Sequence, residues 1–404
     1  MNGTVITGMG IWSCIGQNCA SVAESLRAGK SGIGLDHHRT ELGYQSPLTG
    51  IVPFPDLSDS DLSNSQRQSL SEPSAYAYMA VREALEMSGL RDLSRCGLIV
   101  SNDSTAAEFH RAEDIMRSRQ DSRLLGAYQV FRSLNSTVSL TLSSIFGIGG
   151  LSVTVSAACA GGGHAVGIAH SLIQSGVLDY CIVAGAQECN PFAFLGVDGM
   201  GLISRRIDEP AVASRPFDRL RDGLVPSGGA AALILESESH ARARLGSIIG
   251  YSFSTSPSYI TPKSNVILDT MTRAWQSCRI SVLYQGLSLI MSHATSTREG
   301  DTAEAQAIRH FLDSEHFSGR TKPFVAATKS LTGHECWMSG VSQIIYAILM
   351  KQGGFILPHE YLTNPDSAIE GLNIPLTETE ATITNVLCNS FGFGGTNACI
   401  VLGD

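Results

Sequence analysis

The sequence predicts an α/β protein made of two similar halves. Three observations lead there. Short β-branched or apolar runs alternate with stretches of helical periodicity. A strand–turn–helix unit occurs twice. The chain also has 404 residues, 43% of them hydrophobic, with 41 glycines, and a sheet-based unit of that length usually duplicates or divides.

In chain order, residues 4–7 read as a first strand ending in a glycine turn at Gly8-Met9-Gly10. Tyr76, Ala80, Ala84 and Met87 share one face of a helix over 75–88. Residues 97–101, 151–156, 180–184 and 230–236 read as strands. After 151–156, a small-residue turn at 157–163 leads into a helix with Val166, Ala169, His170 and Ile173 on one face. The second unit repeats this plan: a strand at 323–328, a turn at 329–335, and a helix facing inward through Val341, Ile344, Ile345 and Leu349. Each unit sets a reactive residue, Cys159 or His334, near the start of its helix. That predicts an internal duplication, 1–245 and 246–404, with the active site between the halves.

Lys and Arg number 28 against 37 Asp and Glu, a formal charge of −9. An acidic chain without a basic cluster is a poor general binder of nucleic acid or anionic membrane. Residues 133–178 carry no Asp, Glu, Lys or Arg, but polar residues and the Gly161-Gly162-Gly163 run interrupt them, so they read as buried strand, turn and helix and not as a span. The first ten residues lack the pattern of a secretion signal, and ten cysteines without CxxC or His-rich spacing suggest neither disulfides nor zinc. The expected setting is the reducing cytoplasm.

Cys159 stands in Ser156-Ala157-Ala158-Cys159-Ala160-Gly161-Gly162-Gly163. A thiol at a strand-to-helix turn meets the positive end of the helix dipole, which favours thiolate, and small neighbours leave room for a bulky thioester. His293 and His334 each lie beside a strand-like run, in loops suited to presenting side chains. The tail, Asn389-Ser390-Phe391-Gly392-Phe393-Gly394-Gly395-Thr396-Asn397, is glycine-rich enough for close backbone approach, as in an oxyanion hole or a hairpin.

Together, the Cys159 segment, His293-x-Thr295-Ser296-Thr297-x-x-Gly300-Asp301, Lys329-Ser330-x-Thr332-Gly333-His334 and the tail motif resemble the β-ketoacyl-acyl-carrier-protein synthases over almost the whole chain. The likeness is above all to the synthase II type and to ketosynthase subunits of type II polyketide systems. The resemblance implies a duplicated thiolase fold of five αβαβα layers. It implies that Cys159 receives an acyl chain, and that His293 and His334 assist decarboxylation of a carrier-bound malonyl group. Lys329 would organise the histidines. The backbone N–H groups of Cys159 and Phe393 would hold the acyl oxygen, with Phe393 also gating the pocket, while Thr295, Thr297 and Phe391 would contact substrate. No metal or other cofactor is implied. Substrates would arrive on the phosphopantetheine of an acyl carrier protein, and the chain would pair with itself or with a related ketosynthase or chain-length-factor subunit. Arg205 and Arg206 match part of the carrier-docking patch, although the basic cluster usual before the 75–88 helix is absent.

Four departures stand out. Gln343 replaces the usual Glu, leaving Asp301 or Glu304 to partner Lys329. Met291 replaces an Asn associated with a monovalent-cation site in some relatives, and Ala294 replaces Gly. Residues 101–107 are more polar than the Gly-rich segment that helps shape the acyl pocket, which points to an unsaturated or polyketide-like chain. A thiolase, with its second catalytic cysteine near the C-terminus, and a non-catalytic partner subunit, which would lack Cys159, are the competing readings.

Overall fold

The computed structural model describes residues 3–314, 317 and 321–404; Met1 and Asn2 of the opening segment lie outside the described residues. The strands of the main sheet are β1 (Thr4–Trp12), β2 (Gly97–Ser101), β3 (Ser152–Val155), β4 (Tyr180–Gln187), β5 (Gly229–Ser237), β6 (Gly246–Thr255), β7 (Leu289–Met291), β8 (Phe324–Ala326), β9 (Val386–Phe391) and β10 (Thr396–Gly403). Their spatial order is β8–β7–β9–β10–β6–β1–β5–β4–β2–β3. Counted outward from the centre, each half runs first, fifth, fourth, second, third. The pairing sense repeats as well: the two inner pairs of each half are antiparallel and the two outer pairs parallel. Such agreement goes well beyond the common strand–turn–helix unit and bears out the duplication. The halves join where Thr4 to Ile6 pair antiparallel with Ile248 to Gly246.

Five helices complete the layers: α1 (Glu72–Ser88), α2 (Gly161–Gln174), α3 (Ser264–Gln276), α4 (Arg298–Asp313) and α5 (Ser339–Gly353). One apolar core binds α1 to the first-half strands, a second binds α3 and α4 to the second-half strands, and the largest encloses α2 and α5 between them. Strands covered on both faces read as nearly unbroken apolar runs, as in the fully buried GAAALILES of β5. α1 starts with Pro73 in its first turn and stops at Gly89, whose φ of 70° ends the helix in the left-handed region.

The charge-free stretch folds into the expected strand, turn and helix as β3, the Cys159 turn and α2, but β3 at the sheet edge is exposed to half-buried and not buried, and an unexpected helix (Thr137–Phe146) precedes it. Among the described residues no helix is long and apolar enough to cross a membrane. His170 lies inside, bonded through Nδ1 to Thr4 Oγ1 at 2.9 Å. The expected glycine turn after residue 7 is not formed: β1 continues to Trp12. A β-carbon on Gly8 or Gly10 would lie 2.1 Å from the carbonyl oxygen of Ala84 or Ala80, so these glycines let α1 lie close on the strand.

Candidate active site

Cys159 occupies a single turn (Ala158–Ala160) between β3 and α2. Ala158 has a φ of 47°, a strained left-handed conformation for a non-glycine residue, and its N–H donates to Asp103 Oδ2 at 2.9 Å. This kink aims the thiol across the interface between halves. His334 follows β8 and the short helix Lys329–Thr332, and its backbone N–H donates to Val225 O at 2.7 Å. Its Nε2 lies 3.0 Å from Cys159 Sγ. The crossing of α2 and α5 sets that distance, for a β-carbon on Gly340 would stand 2.1 Å from Gly163 N. Of the small residues flanking Cys159, Gly162 and Gly163 also serve this close helix contact.

Glu304 on α4 holds His293 by the backbone: Oε1 accepts from His293 N at 2.8 Å and Oε2 from Ala294 N at 2.7 Å, and Asn389 Nδ2 adds a third bond at 2.9 Å. The His293 ring lies 5.3 Å from that of His334, edge to face, and 5.5 Å from Phe391. Asp301 Oδ1 accepts from Thr295 N and Ser296 N at 2.9 and 3.1 Å, fixing the loop that carries Thr295 and Thr297. Those threonines bond each other through their hydroxyls at 3.1 Å; Thr297 sits at the start of α4 but does not cap it with its side chain. Gly392 packs against the backbone N of Cys159, bringing the tail loop to the thiol.

Cys159, His293, His334, Thr295, Thr297, Phe391 and Phe393 all line one pocket of about 490 Å³, whose remaining wall is largely apolar and includes Phe194, Leu202, Leu224 and Ile260. Lys329 stands behind it, 2% exposed, and its Nζ has no hydrogen-bond partner among the described residues. None of residues 101–107 reaches the pocket wall. Ser104 Oγ and Ala106 N instead donate to Glu188 Oε1 at 3.0 and 2.6 Å, while Ser101 Oγ, Asn102 Oδ1 and Asp103 Oδ1 are buried without a hydrogen-bond partner among the described residues. Arg205 is exposed and Arg206 half-buried near the pocket's edge; Arg205 Nη2 donates to Gln45 Oε1 at 2.5 Å and Arg206 Nη2 to Leu220 O at 3.0 Å.

Two residues that sequence reasoning missed complete the electrostatics. Gln343 donates through Nε2 to Ser292 O at 2.7 Å and brings no charge. The carboxylates acting on Lys329 are Glu304 first and then Glu335, ahead of Asp301. Glu335 accepts from Ser342 Oγ at 2.6 Å and Tyr346 OH at 2.7 Å, and burial pushes its carboxyl up to about 7. Cys336, the other missed residue, also lines the pocket; its Sγ donates to His334 O at 3.6 Å and lies within 4.8 Å of the Cys159 sulfur. Among the described residues, Cys159, His334 and Cys336 form a cluster whose ligand atoms, all within 4.8 Å, could hold a soft metal ion; the Cys159–His334 contact and the bond from Cys336 Sγ to His334 O also tie the three together. An adjacent His-x-Cys was the available signal for Cys336.

Of the ten cysteines, nine thiols are pushed up, mostly by burial. Cys159 alone is pushed well down, chiefly by the neighbouring Cys336 thiol, then by His334 and Lys329, against the opposing effect of burial. His293 is held well below the usual imidazole range by burial, with Lys329 and His334 adding to it, so its ring is neutral. A depressed thiol keeps its thiolate as pH falls. An ordinary thiol loses about 75-fold of its thiolate between pH 8 and pH 6. The rate of Cys159 alkylation by iodoacetamide, followed by peptide mass spectrometry, is expected to fall less than about tenfold over that interval.

A depressed cysteine bonded to one histidine and facing a second, in an apolar pocket between duplicated halves, agrees with what the chain is similar to. Residues 1–241 match the family described as Beta-ketoacyl synthase, N-terminal domain, and residues 245–362 the corresponding C-terminal domain. The 3-oxoacyl-[acyl-carrier-protein] synthase 1 of Haemophilus influenzae is 35% identical, covering 99% of this chain and 98% of that protein; the synthase 2 of Vibrio harveyi is 28% identical, covering 98% and 97%. The likeness is thus stronger to this synthase 1 than to this synthase 2. The crystal structure of a β-ketoacyl synthase from Burkholderia phymatum superposes with a TM-score of 0.91 at 26% identity, covering 100% of this chain and 99% of that one. By fold, by sequence over its whole length and by the residues gathered at its centre, the chain belongs to the β-ketoacyl synthase family.

Proposed function

We propose that the chain condenses an acyl group held on Cys159 with a malonyl group on acyl carrier protein, releasing CO2 and giving a 3-oxoacyl carrier protein two carbons longer. The observation that carries this reading is the 3.0 Å Cys159–His334 contact with the neutral His293 ring 5.3 Å from His334, all in one pocket. The thiolate attacks the acyl thioester and later leaves, which suits sulfur. His293 and His334 face the position where negative charge grows on the malonyl thioester oxygen as CO2 departs, and a neutral imidazole N–H can donate there. Thr295 and Thr297 offer hydroxyls to the phosphopantetheine arm, Phe391 and Phe393 bound the acyl chain, and the backbone N–H groups of Cys159 and Phe393 receive the acyl oxygen. Lys329, balanced by Glu304 and Glu335, acts through the histidines. In this reading the division at residue 245 separates the half that carries the nucleophile from the half that carries both histidines. Purified protein given malonyl and acyl carrier proteins is expected to yield CO2 and the extended 3-oxoacyl product in equal amounts; failure to extend would overturn the reading.

Two further points of recognition follow. Strand β3 ends the sheet, and the nearby segment exposes Phe109, Val130, Phe131 and Leu134, which supports a second copy or a related chain-length-factor subunit covering that side. Carrier proteins are acidic, so an acidic enzyme needs a local cationic patch, and Arg205 and Arg206 supply it. Replacing both by Glu is expected to raise the KM for carrier-bound substrate about tenfold, equivalent to about 1.4 kcal/mol, while leaving turnover of a small soluble thioester within twofold. Steady-state kinetics with both substrates checks this, and an unchanged carrier KM would remove the arginines from docking.

A further inference from the structure

The thiol of Cys336 forms no bond in the condensation, where it only helps to hold Cys159 as thiolate, yet it lies near the reactive sulfur. Its Sγ is within 4.8 Å of both Cys159 Sγ and a ring nitrogen of His334. Its backbone takes a φ of 40°, a strained left-handed turn that carries the side chain back toward the pocket. Both cysteines line the pocket, 6% and 7% exposed, so a small solute that enters reaches both. Other cysteines also neighbour one another: Cys14 and Cys189, Cys96 and Cys181, Cys388 and Cys399. None of these lines the pocket.

We propose that Cys159 and Cys336 form a reversible modification site, in which Cys336 resolves the sulfenic acid that Cys159 forms with hydrogen peroxide. In the first step the Cys159 thiolate attacks one peroxide oxygen; the S–O bond forms, the O–O bond breaks, and the departing hydroxide takes a proton to become water. In the second, Cys336 loses its proton and attacks the Cys159 sulfur; the S–S bond forms, the S–O bond breaks, and hydroxide leaves with that proton as a second water. The two sulfurs give up two electrons and the peroxide accepts them. A low-molecular-weight dithiol restores both thiols by exchange. The sulfurs need to close by at most about 3 Å to reach the disulfide length of about 2.05 Å. The contrast between the two thiols suits the division of labour, one ionised and attacking, the other protonated and waiting.

The consequence is protection. Without a resolving thiol, a sulfenic acid proceeds to sulfinic and sulfonic acids, which a dithiol does not reduce. The inference needs Cys159 only as a thiolate, so it can fail without touching the proposed condensation, and its readout is mass and not turnover. The full chain treated with hydrogen peroxide is expected to lose two hydrogens in intact mass before alkylation, to yield a Cys159–Cys336 cross-linked peptide under non-reducing digestion once the remaining thiols are alkylated, and to regain both thiols with dithiothreitol. The same treatment of Cys336→Ser, a substitution of similar volume, is expected to add two or three oxygens to Cys159 and to recover at least tenfold less free Cys159 thiol. Absence of the cross-link in the unmodified sequence, or equal recovery in Cys336→Ser, would overturn the proposal.

Discussion

Cys159→Ala is expected to lower chain extension by at least about four orders of magnitude, the scale seen when a covalent nucleophile is removed. The chain should remain folded. Cys159 sits at the pocket wall, in a small cluster with Phe194 and Cys336, and losing its sulfur deletes one atom beside existing space, a cost of about 1 kcal/mol. The loss would therefore be chemical. Without the thiolate no acyl-enzyme forms, and a carbanion made from malonyl carrier has no electrophile to attack, so any CO2 still released becomes uncoupled from extension. Intact-mass detection of the acyl-enzyme, together with mass spectrometry of the carrier products, checks both halves of the statement. Extension that survives in Cys159→Ala would mean that another group, with Cys336 the nearest thiol, carries the chain.

The sequence made the layering visible because it is local. A strand buried on both faces must be apolar throughout, and a helix facing a core must repeat at 3.6 residues, so β2, β4, β5 and the inward faces of α2 and α5 could all be read without partners in view. Cys159, His293 and His334 were legible for a similar reason: each is embedded in a short motif whose small residues and turns are needed nearby. What the sequence hid depends on contacts made far along the chain. The glycines at 8 and 10 look like a turn until α1, some seventy residues later, lies on them. That Gly162 and Gly163 also let two helices cross shows only when Gly340 meets them from the other half. Residues 101–107 look like a polar pocket wall until Glu188 takes up their donors.

The displaced carboxylate shows the same limit. With Gln343 in the usual position, Lys329 needed another counter-charge, and Glu304 could be suspected because it lies on the helix that follows the His293 motif. Glu335 could not. Its role depends on Ser342 and Tyr346, seven and eleven residues further along on α5, both donating to it while it faces Lys329. A buried carboxylate without such donors would be expensive, so the three residues act as one unit although no pattern in the sequence joins them.

The two histidines can be told apart by asking which half of the reaction each one touches. His334 contacts the Cys159 sulfur at 3.0 Å, whereas His293 stands 5.3 Å away from the His334 ring and is anchored by Glu304 from the other side. His293→Ala is therefore expected to lower extension by about 10²–10³-fold, the usual effect of removing one donor to a developing oxyanion, while single-turnover acylation of Cys159 stays within about threefold. Neutral His293 matters here: burial keeps its ring uncharged, so substitution removes a hydrogen-bond donor without removing a charge that Cys159 depends on. His334→Ala is the counterpart. It deletes both a donor and the group that helps hold the thiolate, so acylation and extension should fall together. Stopped reactions with labelled acyl carrier, read as acyl-enzyme by intact mass and as extended product by chromatography, separate the two steps. If His293→Ala stopped acylation while decarboxylation continued, the roles assigned to the two imidazoles would have to be exchanged, and the 3.0 Å contact would then mark a support for the thiolate that the reaction does not require.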